Sequence, residues 1–239
     1  MNFRFTLLSY LAFLLFLGSC TNEQNADTNS NKITATTSQQ TFTNFYVRYL
    51  EDDQELKAEA IFKIGDSLKT ATAQAIQSVS FENTPMTIKD LGKNGIRYRS
   101  KKSGQSFKEK YTFNAQLDSK ISIDYPLSIN TVNSFSIKEK QVRRSKGVTI
   151  TWDGTPLVKG ELLVVFFVNP DKKPVSFTIN GPTNKSEVFL EAKNLSRLKA
   201  GEGKLRLIRK VLNRLDEAPQ NIESVIEYYT RPINIIIAE

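Results

Sequence analysis

From Asn44 onward, apolar and polar positions alternate mostly with period two. FYVRYL (45–50) sets Phe45, Val47 and Tyr49 against Tyr46, Arg48 and Leu50, as a half-buried strand does. The acidic stretch EDDQE (51–55) joins it to LKAEAIFKIG (56–65), so the pattern predicts a hairpin. VSFE (79–82), MTIKDL (86–91), IRYRSK (96–101), FKEKYTFNAQL (107–117) and ISIDYPL (121–127) read as further strands. Gly92 and Asn94-Gly95 supply a turn, because both residue types tolerate positive φ. Residues 68–77, LKTATAQAIQ, have the propensity for a short helix. SINTVN (128–133) reads as a domain joint, not a flexible linker. Beyond it lie FSIKEKQV (135–142), GVTITWDG (147–154), GELLVVFFVNP (160–170), KPVSFTING (173–181) and EVFLEA (187–192). LLVVFFV is apolar throughout, as a central strand covered on both sides would be. Trp152, in an alternating strand, is expected to fill the core between sheets.

Residues 195–215 admit two readings. Leu205, Ile208, Leu212 and Leu215 have helical spacing, with Arg206, Arg209, Lys210 and Arg214 elsewhere on the wheel; that would be a basic amphipathic helix suited to an anionic membrane. Against it, Leu195-x-x-Leu198-x-Ala200-Gly201 followed by Leu205-x-Leu207 resembles the corner before a late strand in immunoglobulin-like sandwiches. Short strands surround the segment, so a strand is the favoured reading. SVIEYYTRPINIIIA (224–238) closes the chain as a last strand, with Pro232 at a bulge or edge. The expected fold class is therefore all-β: two tandem β-sandwich domains, 44–131 and 132–239, the second immunoglobulin-like or fibronectin-like.

Composition narrows the chemistry. There is no histidine and one cysteine among 239 residues. The commonest general base near neutral pH is missing, so Ser–His–Asp triads, Cys–His nucleophiles and ordinary zinc sites are excluded. The expectation is a non-catalytic binding or structural module with no cofactor and no metal. A carbohydrate-binding protein is the alternative, and a carboxylate-pair hydrolase a further one. The formal charge of +8 is concentrated beyond Val132, with 18 basic and 12 acidic residues there against 13 and 11 in 44–131.

The start, MNFRFTLLSYLAFLLFLGSC, has one cation, a short apolar run and small residues before Cys20. These are the parts of an export signal, and the run is shorter than the ~20 residues a spanning helix needs. Leu17-Gly18-Ser19-Cys20 resembles the lipobox of bacterial lipoproteins. The resemblance implies a signal peptide over 1–19, lipid on the Cys20 sulfur and its amine, and, with Thr21 in place of aspartate, an outer-membrane destination. Residues 20–43 then form the lipidated cysteine and a polar linker whose composition implies disorder. Its reach is about 25 Å at roughly 5–6 Å times the square root of length. Expected partners are the membrane through its anchor, and an envelope protein, an anionic glycan or lipopolysaccharide; export argues against nucleic acid. Tyr228, Tyr229 and Arg231 form the candidate ligand contact. Adjacent strand residues face opposite ways, so one tyrosine should be buried and the other free to stack on a sugar. Glu51, Asp52, Asp53 and Glu55 could hold calcium, though a hairpin tip is usually acidic because it is solvated. Lys101-Lys102 with Lys108 and Lys110, and Arg143-Arg144 with Lys146, are basic groups beside turns.

Overall fold

A computed structural model describes residues 39–92, 95–217 and 219–239. The expected signal peptide, Cys20 and most of the linker lie outside the described residues. The chain is all-β, as its alternation predicts. Strands β1 (Gln40–Leu50), β2 (Glu55–Gly65), β3 (Thr72–Ala73), β4 (Ser78–Phe81), β5 (Thr84–Pro85), β6 (Thr87–Asp90), β7 (Ile96–Lys102), β8 (Lys110–Gln116) and β9 (Ser122–Ser128) build the first half. The second half holds β10 (Ser134–Ile137), β11 (Val142–Arg143), β12 (Val148–Asp153), β13 (Glu161–Val168), β14 (Pro174–Asn180), β15 (Glu187–Leu190) and one turn of helix, α1 (Ala192–Leu195). It ends with β16 (Gly201–Glu217), β17 (Gln220–Tyr229) and β18 (Ile233–Ala238).

These strands form three sheets. The largest runs β11-β18-β16-β17-β1-β2-β7-β6, with β13 and β14 joined through β16 and β3 on β2. A four-stranded sheet, β5-β4-β8-β9, and a three-stranded one, β10-β12-β15, hold the remaining strands of the described residues. In the first half, the inner face of the large sheet meets the four-stranded sheet through aromatic rings. Phe45 stacks on Phe113 at 4.4 Å and on Tyr125 at 5.4 Å, and Phe62 stands edge-on to Phe45 and Tyr98. Each such pair adds about 0.5–1.5 kcal/mol beyond its buried area. In the second half, Val148, Ile150 and Trp152 of β12 share one buried core with Leu163, Val165 and Phe167 of β13 and Leu205 and Leu207 of β16. Trp152 fills that core, its indole N–H donating to the Thr155 carbonyl.

The long hairpin β16–β17 ties the halves together. The start of β16 pairs with β13 and β18, but its end pairs with β17 alone. The other edge of β17 runs parallel to β1, from Thr41↔Gln220 to Leu50↔Tyr229. The second half thus contributes a strand to the sheet of the first, across the boundary expected near residue 132. The joint is packed: Ile129 and Val132 are buried.

Residues 204–215 are strand, not helix. With β13, β17 and β18 on its edges, β16 satisfies its backbone groups laterally, which outweighs the helical spacing of its leucines. No helix forms in 68–77 either. Ser67 accepts from the Thr70 and Ala71 amides in a single turn, and the chain folds back as β3 on Lys63 and Ile64. LLVVFFV is covered on one face only: Leu163, Val165 and Phe167 are buried, whereas Leu162, Val164 and Phe166 are half-buried on the outside. Pro232 falls between β17 and β18, where Thr230 donates to and accepts from Leu207.

Candidate binding face

The outer face of the large sheet is built by the alternation that buries the inner one. On β1, Phe45, Val47 and Tyr49 point inward, so Tyr46 and Arg48 point outward. By the same parity the outward residues include Lys57, Glu59, Ile61 and Lys63 on β2, Arg97, Arg99 and Lys101 on β7, and Lys89 on β6. Register then aligns like charges. Lys101 is opposite Lys57, and Lys57 is opposite Arg48, at a strand spacing of about 4.8 Å.

Over β1, β2, β7 and β6 this face carries seven cations, Arg48, Lys57, Lys63, Lys89, Arg97, Arg99 and Lys101, against two carboxylates, Glu55 and Glu59. Glu59 meets Lys57 at 2.8 Å, Arg99 at 3.0 Å and Arg97 at 3.2 Å. Partial burial works to raise its pKa, but those three cations outweigh it and hold the carboxyl below its ordinary value. Glu55 meets Lys101 at 2.9 Å and Arg48 at 3.1 Å, and its bond to Lys101 above all holds it low. Lys63 and Lys89 make no ion pair among the described residues. Surface pairs of this kind, here half-buried, contribute on the order of 1 kcal/mol, and like charges opposite one another across strands are unfavourable. Stability alone gives no reason for this arrangement.

Next to it, on β17 and β16, charges are matched. Lys210 pairs with Glu227 at 3.0 Å, Arg214 with Asp216 and Glu223, and Arg206 with Asp52. Glu227 also accepts from the hydroxyls of Tyr46 at 2.8 Å and Tyr229 at 3.0 Å. Burial first, then this carboxylate, raises both phenols, that of Tyr229 to about 12, so both remain neutral donors.

The tyrosine pair divides as its alternation requires. Tyr228 is buried, stacked on Tyr49 at 5.8 Å and edge-on to Phe107 at 4.7 Å. Tyr229 is half-buried on the outer face, with the Arg206 guanidinium 6.0 Å over its ring. Its hydroxyl and one ring face are thus already engaged. Arg231 is exposed; its backbone N–H donates to Glu51. The three residues adjoin but converge on no common point. The acids of the β1–β2 tip diverge as well: Glu51 turns to Arg231, Asp52 to Arg206 and Glu55 to β7. Among the described residues, no group of three or more acids is placed to hold a metal ion.

Of the basic groups beside turns, only Lys101 joins the face. Lys102 donates to Thr84, Lys108 to Glu82, and Arg144 to the Leu198 carbonyl and Glu239. Cations at alternate positions in IRYRSK, with Lys57 and Lys63 in β2, are the sequence signal of the face. Counting charge by half rather than by strand parity conceals it.

Fold and face together define an all-β protein with a charge-segregated sheet surface. No protein-family model matches the chain. No curated protein matches it either. Among solved structures it is similar to the crystal structure of murine CEACAM1b, at 12% identity over 82% of this chain and 99% of that one, with a TM-score of 0.25.

Proposed function

We propose that this chain is a lipid-anchored envelope lipoprotein, held at the outer membrane through Cys20, that acts as a non-catalytic binding module. On this reading the immunoglobulin-like second half serves as a scaffold for the sheet of the first. The observation that carries the binding role is the outer face of β1, β2, β7 and β6, with seven cations against two carboxylates. Such a field raises the local concentration of an anionic partner and speeds its encounter. The anchor reading rests on the lipobox-like Leu17-Gly18-Ser19-Cys20.

Two measurements test the proposal. Replacing Cys20 with Ala should release the protein from membrane fractions, and the native amino terminus should show lipid mass on Cys20. An intact, unmodified terminus would sink the anchor. The R97E/R99E/K101E variant should lose retention on an immobilised polyanion such as heparin, whereas R143E/K146E should keep it. Equal retention of both variants would sink the binding role.

A further inference from the structure

We propose that the basic face of β1, β2, β7 and β6 docks against the anionic phospholipid surface to which the chain is anchored; this rests on the lipid-anchored reading above. Three observations converge. The outer face of these four strands carries an excess of cations, whereas on the adjoining β16 and β17 Arg206, Lys210 and Arg214 are each paired with a carboxylate. The linker enters the fold at the start of β1, so its short reach keeps this part of the sheet near the bilayer. A tether of that length gives an effective concentration on the order of millimolar, at which weak attraction per charge suffices.

The third observation is apolar. Beside the start of β1, Phe42 and Ile61 on the outer face and exposed Leu68 line a concavity of about 300 Å³; Lys63 stands on its rim toward the basic face, and Arg214 with its partners Asp216 and Glu223 on the other side. Apolar side chains that dip below the headgroups beside a cationic face are what an interfacial surface needs. At Tyr229 a stacked sugar would compete with Arg206, whose guanidinium lies over the ring.

The test uses the mature lipidated protein in vesicles of phosphatidylethanolamine with phosphatidylglycerol, or of phosphatidylcholine alone. Acetylation of each lysine is followed by mass spectrometry. Lys57, Lys63, Lys89 and Lys101 should react several-fold more slowly on the anionic vesicles, and high salt should remove the difference. Lys110, which points outward from the opposite sheet, is the internal control. R97E/R99E/K101E should abolish protection of Lys57 and Lys63. Equal labelling on both vesicle types, from protein that co-sediments with both, overturns the docking face and leaves the anchor standing. Failure to co-sediment with phosphatidylcholine overturns the anchor. The face is then decided by co-sedimentation with the phosphatidylglycerol vesicles, and its absence there overturns that too.

Discussion

Arg209 is fully buried beneath the sheet, paired with buried Glu161 and donating to the Thr155 carbonyl at 3.0 Å and hydroxyl at 3.1 Å. Glu161 also accepts from the Val158 amide and from Asn130 in the joint, so one carboxylate links β13, β16 and the connection between halves. Removing one partner strands a charge without water. R209A should therefore lose about 3–5 kcal/mol in chemical denaturation, while R209M/E161L, which removes both charges, should lose far less. A larger loss in the double variant would contradict this account. Glu55 and Glu59 act at the surface in a different way. Their pKa values are lowered by folding, so their contribution is present above the unfolded carboxylate value and fades as pH falls through the lower folded one. E59Q should accordingly flatten the acid limb of the stability–pH curve below about pH 4.5 and leave its slope at neutral pH unchanged.

At the level of elements, β17 decides whether the halves unfold together. Trp152, the only tryptophan, reports on the second half, and the aromatic stack around Phe45 dominates near-ultraviolet dichroism of the first. Because β17 is hydrogen-bonded to β16 and β1 along its length, the two signals should share one denaturation midpoint. I226A, in a fully buried position on β17, should cost about 2–5 kcal/mol of unfolding free energy and lower the midpoint of both signals together. Separate midpoints would show that the shared strand does not couple them. The individual strands were legible because period two is a local property, visible in FYVRYL without knowledge of its neighbours. The β1–β17 pairing was not: both strands are apolar on alternate positions, and nothing local specifies which edge meets which. The basic face was hidden for the same reason, since Lys57, Arg48 and Lys101 become neighbours only through register.

For the whole molecule, the absence of histidine removes the group that usually titrates between pH 5 and 8. The two carboxylates of the face are held low and Tyr229 is raised to about 12, so the charge of this surface should be constant from about pH 5.5 to 9. Polyanion retention should be flat over that interval and fall steeply with salt; a pH midpoint near neutrality would implicate another group. The parallel union of β1 and β17 also bears on biogenesis. Tyr46 and Glu227, hydrogen-bonded in the finished sheet, are 181 positions apart. Synthesis from the amino terminus delivers β1 early and its neighbour nearly last, leaving a long naked rim in the interval. Truncation after Asn130 should yield material that clumps through that rim, visible as light scattering; a clear solution of the truncated chain would show that the rim of β1 needs no late partner.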